Sequence, residues 1–497
     1  MGAPAAAGAV PAGSRTRAGA LAAGCLAFAA VWVMNAPGRL PGTHSDGVEY
    51  TTAAASLART GTLEIPVTHW SDPDDTTALS HYPPGFPALL AVPMALGLPE
   101  DTAVTAVLAL GAAFSAAMAF VLAAGIGGLH AGVVASGLLL ATPVFANLHL
   151  AVWSETAYLG IALLGLWTLI RWPDRPGAHG LVMAVGLAVR YVGVAGVATA
   201  VAFALGRGGS VSDRVRRALW AGGPGLVFLV VWRTWVRAGD EVIRSADLYA
   251  GAGTQLRDMV VLLVRWLAPV HLTRVVAPAV VLFVVFVGGV ALLLGAWPGS
   301  AARARRVFLV FSLAYAGVVI LSRAFLDPLI PFDARLFIPV LALASVAVGV
   351  AVAERSRRLP GRWLALLHLP LLIWAVAGVA DIQETARVSG EEGRFYTHRA
   401  WETDPVANGA YAADDRYLYS NEAALIVHYG GRAAKRLPRA YEDLDAFAAA
   451  WRTRPGPILF KLPPNPVDPP IEVFLDGLPV REVGRSEHAA FLVPRDP

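Results

Sequence analysis

Two carboxylates and a tyrosine stand three and four residues apart in His44-Ser45-Asp46-Gly47-Val48-Glu49-Tyr50. On a helix beginning near Ser45 these positions share one face, so Asp46, Glu49 and Tyr50 point the same way. Ser45 or Asp46 is suited to cap such a helix. A carboxylate so presented can take the proton of a hydroxyl. The structural alternative is a capping Asp46 with a solvated Glu49. The same stretch closes on His81-Tyr82-Pro83-Pro84-Gly85, where two prolines and a glycine set a turn. That turn either aims Tyr82 at a pocket or only starts the next apolar segment.

A second set of charges stands inside or beside apolar runs, where charge is costly. Arg190 lies near the middle of Leu181–Leu205, Glu155 begins the run Thr156–Ile170, and Arg323 and Arg335 flank the turn Asp327–Asp333. Arginine suits a phosphate because its planar fork donates two hydrogen bonds at once. The bland readings are interfacial snorkelling for Arg323 and Arg335, and an internal ion pair for Arg190, with Glu155 as its natural partner. Asp72, Asp74 and Asp75 form an acidic run able to offer oxygen ligands to a divalent cation; a solvated loop is the commoner meaning. His44, His69, His81 and His149 show no H-x-x-x-H or H-E-x-x-H spacing, and there is no G-x-x-x-x-G-K-S/T loop, so zinc and ATP-driven transport are not supported.

The elements that must hold these groups are set by composition. Of 497 residues, 56% are hydrophobic and 15% charged, against about 25% charged in soluble domains. Mean hydropathy is +0.56. A soluble enzyme, a nucleic-acid binder and a disordered scaffold are thereby excluded. The net charge of +4 reports loop topology in a membrane protein. A single cysteine, Cys25, allows no intrachain disulfide.

The basic, Ala/Gly/Pro-rich residues 1–17 predict a disordered cytoplasmic N-terminus. Ala18–Met34 reads as an uncleaved first span rather than a signal peptide, since no small-x-small site follows it before Pro37. Residues 35–85 form a long acidic external loop. Apolar runs follow at Phe86–Leu98, Ala103–Ala124, Ala131–Phe145, Thr156–Ile170, Leu181–Leu205, Ala218–Val236, Val275–Trp297, Val307–Leu321, Leu336–Ala353 and Trp363–Ala380, about eleven spans in all. Arginine clusters at 207–217, 303–306 and 355–362 mark inner loops. Simple alternation puts Arg171–Arg175 outside and Glu100-Asp101 inside. Both faults vanish if Phe86–Leu98 only dips into the outer leaflet and Leu181–Leu205 is two short helices meeting at an external turn near Arg190. The fold class is thus mainly α, a polytopic transmembrane bundle over 18–380, with a small extracytoplasmic α/β domain over 381–497. In that domain Arg416–Ser420, Pro457–Leu462, Ile471–Leu475 and Ala489–Val493 read as strands. Glu422–Tyr429, capped by Asn421, and Tyr441–Arg452 read as helices.

In this order, the motifs resemble the GT-C superfamily of integral-membrane glycosyltransferases, in its protein O-mannosyltransferase-like and aminoarabinose-transferase-like branch. The carriers are the basic N-terminus and single span, the loop with Asp46-x-x-Glu49-Tyr50, a helix ending in Gly61 and the Tyr82-Pro-Pro-Gly85 turn. Ser154-Glu155, Arg190-Tyr191-Val-Gly193 and the tail's Tyr419-Ser-Asn421, Gly430-Gly-Arg432 and Leu437-Pro438 are similar to later family segments. The family more often sets its two loop acids side by side, whereas Gly47 follows Asp46 here. The resemblance implies transfer of a monosaccharide from a polyprenyl-phosphate donor to a hydroxyl of a cell-envelope acceptor outside the plasma membrane, usually with inversion. It implies Asp46 as base, with Glu49 and Glu155 as further catalytic acids. Arg190, Arg323 and Arg335 would bind the donor phosphate, and Tyr50, His81, Tyr82 and Tyr191 would touch substrate. No cofactor or metal is required, since arginines can compensate the leaving charge; a divalent ion stays open. Membrane lipids complete the partners. A secondary transporter or lipid flippase is the alternative, built on the split segments around Arg190.

Overall fold

The computed structural model of the chain describes residues 13–35, 41–236, 301–325, 335–413, 417–440, 442–465 and 468–495. The run Val275–Trp297 and the turn between Arg323 and Arg335 lie outside these residues. The chain divides into two compact units: one of helices (1–36 and 105–387) and one that joins residues 37–104 to 388–497.

In the helical unit every other predicted run of that part coincides with a helix or helix pair. These are α1 (Ser14–Met34), α4 (Glu100–Gly127), α5 (Leu129–Leu140), α6 (Pro143–His149), α7 (Glu155–Arg171), α8 (Pro176–Val189), α9 (Val194–Leu205), α10 (Val211–Val236), α11 (Ala302–Phe325), α12 (Ile338–Arg358) and α13 (Gly361–Glu392). Among the described residues five helices are long and apolar enough to cross a membrane, and α5 with α6, bent by 63°, makes a sixth path. Pro143 at the start of α6 accounts for that bend. α1 begins at Ser14, so Arg15 and Arg17 ride on its first turn. Lipid tails give helices no hydrophobic reason to associate, so small residues must let backbones approach. A side chain in place of Gly349 would come within 2.6 Å of the Ala131 carbonyl, and at Gly111 within 2.9 Å of the Thr156 carbonyl.

The second unit begins with α2 (Ser45–Thr60), ended by Gly61 in the left-handed region at φ 77°. Its N-cap is His44, with no side-chain cap bond. The expected Ser45 or Asp46 cap is corrected: the Ser45 hydroxyl bonds His44 Nδ1 (2.9 Å) and Asp46 (3.3 Å) instead. β1 (Glu64–Ile65) and β3 (Thr77–Ala78) form a small antiparallel pair, and α3 (Gly85–Ala95) is short, as its sequence suggested.

β2 (Val67–His69), β4 (Tyr419–Ser420), β5 (Ala434–Arg436), β6 (Ile458–Lys461), β7 (Val480–Arg485) and β8 (Ala489–Pro494) form one sheet, ordered β2-β5-β4-β6-β8-β7. The first four run parallel, and β8 pairs antiparallel with both β6 and β7. Ile458, Leu459 and Phe460 of β6 are all apolar because both faces are covered there. Leu459 meets α16 (Ala423–Gly430) and Val48 of α2 on one face. Ile458 and Phe460 meet α17 (Leu444–Thr453) and α18 (Ile471–Gly477) on the other. Two short helices, α14 (Arg399–Thr403) and α15 (Pro405–Tyr411), precede β4.

Two expectations for the tail are corrected. Ile471–Leu475 is helical, with Ile471 and Phe474 buried at a helical spacing of three after Pro470. Asn421 does not cap α16; Glu422 stands at the N-cap, and the Asn421 amide is spent on the Lys461 backbone and on Asp468.

Candidate active site

The site residues expected from the sequence fall into two groups, one in each unit. In the helical unit Glu155 opens α7 and is 1% exposed. The sequence breaks before it at Trp153-Ser154, and across from it α8 stops at Arg190, whose backbone is extended at φ −148°. A 3-10 turn, Tyr191–Gly193, then leads into α9, so the predicted split of Leu181–Leu205 is observed. Gly193 is required there, since a Cβ would stand 2.5 Å from the Leu187 nitrogen.

The break frees the Arg190 side chain to pair with Glu155 and to donate to the Ser154 hydroxyl at 3.1 Å. Arg335 approaches the other Glu155 oxygen at 3.9 Å and lies over the Trp153 ring, 3.7 Å from its centre. Two guanidinium groups, each about a fifth exposed, thus share one buried carboxylate. The carboxylate holds both guanidinium groups, and the indole lies beneath that of Arg335. Arg323 lies apart in sequence, in the last turn of α11. The Tyr191 hydroxyl accepts a bond from Trp232 Nε1 at 2.8 Å.

In the second unit the charged group lies at the carboxyl ends of the parallel strands, where open α/β sheets bind ligands. β5 ends in Arg436, β6 in Lys461, and Glu422 follows β4. Arg436 donates to Glu49 at 3.0 Å, tying the sheet to α2. Lys461 and Asn465 both reach Glu422 at 3.1 Å, and the Tyr396 hydroxyl donates to the same carboxylate. His44 stacks on the Tyr396 ring.

Asp46, one turn from Glu49, is 27% exposed, whereas Glu49 is 3% exposed. The Tyr82 hydroxyl bonds Asp46, and Tyr50 packs between the rings of Tyr82 and Phe86 at 4.8 and 5.1 Å. Burial, then the nearby Asp46 and Glu49 carboxylates, hold the Tyr82 phenol well above its ordinary range. Burial, then Glu422, does the same for Tyr396. Both therefore stay protonated donors at neutral pH. Burial works against the Arg436 charge, yet Glu49 outweighs it and raises that arginine further. His81 is exposed beside Tyr82. Asp72 and Asp74 lend backbone carbonyls to Lys435 Nζ at 2.6 and 3.2 Å, and among the described residues no cluster of three or more acidic, His or Cys side chains has metal-binding geometry.

The structure therefore brings Asp46, Glu49, Tyr50 and Tyr82 into one neighbourhood, and Glu155, Arg190 and Arg335 into another. The sequence reading missed Arg436, Glu422, Tyr396 and Lys461. A signal existed for Lys461, a cation closing the short apolar strand Ile458–Lys461.

No family model and no curated protein matches the sequence. Solved structures do. ArnT from Cupriavidus metallidurans bound to undecaprenyl phosphate is similar with a TM-score of 0.59 at 14% identity, over 94% of this chain and 97% of that one. Its apo state gives 0.58 at 16% identity, over 96% and 98%. The Archaeoglobus fulgidus oligosaccharyltransferase, tethered to an acceptor peptide containing the NVT sequon, gives 0.51 at 12% identity, over 90% and 69%. At these identities the likeness is one of fold. The resemblance read from the loop and span motifs holds at that level: this chain has the fold of the GT-C membrane glycosyltransferases.

Proposed function

We propose that the chain is a membrane glycosyltransferase that moves a monosaccharide from a polyprenyl-phosphate donor to a hydroxyl of a glycan, lipid or protein acceptor on the outer face of a bacterial plasma membrane. The observation that carries this reading is the pair Arg190 and Arg335 fixed on buried Glu155. A fold shared with an ArnT structure bound to undecaprenyl phosphate supports it.

In the proposed step Asp46 takes the acceptor proton as the acceptor oxygen bonds the anomeric carbon. The bond from that carbon to the phosphate oxygen breaks, and its electron pair leaves with the lipid phosphate. Attack opposite the leaving group inverts the anomeric centre. Arg190 and Arg335 compensate the charge growing on the phosphate, with Arg323 as a third candidate. Glu155 acts through the two arginines as a positioning residue. Glu49 acts likewise through Arg436, which braces the first turns of α2. Tyr82 orients Asp46 by its hydrogen bond. Tyr50, His81 and Tyr191 are proposed to line the substrate. The arginines supply the compensating charge, so the step needs no cofactor.

The experiment is transfer from a radiolabelled polyprenyl-phosphate sugar by purified protein, with Asp46→Asn alongside. Transfer or slow donor hydrolysis by the wild type, lost in the variant, is expected. Substrate counterflow in vesicles with neither transfer nor hydrolysis would instead make the chain a transporter.

A further inference from the structure

The helical unit also holds a cavity of about 520 Å³ that the proposed chemistry does not use. Leu169 of α7 lines it, about 21 Å further along that helix than Glu155 at 1.5 Å per residue. Its apolar lining includes Phe203, Leu169 and Leu309; His179 also lines it, and Arg207, Arg217, Arg303 and Arg306 stand around it. Among the described residues no carboxylate lines it.

The arginines are held in different ways. Arg207 is turned toward the Pro173 carbonyl and the carboxylate of Asp174. Arg217 donates one terminal nitrogen to the Gly208 carbonyl at 2.7 Å, but its Nε is buried and meets no hydrogen-bond acceptor. A buried donor left unmet is costly, and folded proteins seldom leave one. An arginine offers Nε with a terminal nitrogen as a fork for two oxygens of one phosphate.

We infer that this cavity binds an anionic phospholipid, its headgroup phosphate on Arg217 and Arg306 and an acyl chain along Phe203 and Leu309. Basic pockets between membrane helices take anionic headgroups in this manner. Free phosphate would satisfy the arginines but leave the apolar wall uncovered. The site is separate from the proposed transfer chemistry and does not depend on it.

The test is lipid binding by the full chain in neutral detergent, followed by native mass spectrometry and by thermal stabilisation. The probes are phosphatidylglycerol, phosphatidylcholine and inorganic phosphate, against wild type, Arg306→Gln and Arg217→Gln/Arg306→Gln. Arg306 is exposed, so its single substitution leaves the fold unthreatened. Wild type is expected to prefer phosphatidylglycerol over phosphatidylcholine by about tenfold in apparent Kd, with the preference reduced in the single variant and lost in the double. Retained polyprenyl-phosphate binding in both variants shows that the loss is local. Equal affinity for the two lipids would mean that the arginines only follow loop charge bias, and would overturn the inference. So would full preference in the double variant, or equal stabilisation by inorganic phosphate alone.

Discussion

The two charged groups are built on opposite plans. In the helical unit one buried carboxylate, Glu155, serves two arginines. At the carboxyl ends of the parallel strands Asp46, Glu49 and Glu422 stand with Arg436 and Lys461 among tyrosine donors. The first group presents cation forks, as an anion requires. The second presents a carboxylate, Asp46, that is more open than its neighbours, as a base requires. The contrast teaches that the buried acid is the wrong place to look for proton transfer: Glu155 and Glu49 are each tied to arginine, and Asp46 is the accessible one.

The largest expected effect falls on Asp46. Asp46→Asn should lower the transfer rate by about 10²–10⁴-fold, the usual worth of a positioned base, with membrane expression unchanged; near-wild-type turnover would break the comparison at once. Next comes the cationic group. Arg190→Met strands Glu155 and should destabilise the protein by about 3 kcal/mol in thermal or denaturant unfolding. Adding Glu155→Gln should restore most of that stability without restoring donor affinity. If donor affinity returns too, the arginine is structural only.

A smaller effect sharpens the role of Arg335. Trp153→Ala removes the ring beneath it and should weaken donor binding by about fivefold, near 1 kcal/mol; because Trp153 is buried, Tm should fall as well. The smallest is a pH effect at the carboxyl ends of the strands. Burial pushes the Glu422 carboxyl up, but Lys461, Tyr396 and Asn465 outweigh it, so its pKa lies below the ordinary 4.5. A carboxylate lowered on folding adds stability that is present above its unfolded value and is lost as pH falls through the folded one. Tm should therefore drop as pH is taken below about 4.5, and Glu422→Gln should flatten that limb.

Much of this was legible in the sequence. Apolar runs located the helices because length and hydropathy alone decide them. The break at Arg190 was readable from a charge that a continuous helix could not shelter. The face shared by Asp46, Glu49 and Tyr50 followed from helical spacing, and Gly61 marked its end. The strand-end group was not legible. β2 pairs in parallel with β5 across more than three hundred residues, and no local pattern reports such pairing. Arg436 and Glu422 gain their roles only from that register. Ile471–Leu475 was misread because a short apolar run suits strand and helix alike, and the burial of Ile471 with Phe474 decides it.

The division of labour between the two groups is tested most directly by polyprenyl-phosphate binding to Asp46→Asn and Arg335→Gln proteins, each also assayed for sugar transfer. The account expects Asp46→Asn to bind the lipid phosphate as wild type does while transferring sugar about 10²–10⁴-fold more slowly, and Arg335→Gln to lose lipid-phosphate affinity. Lost binding in Asp46→Asn, or unchanged binding in Arg335→Gln, would contradict it.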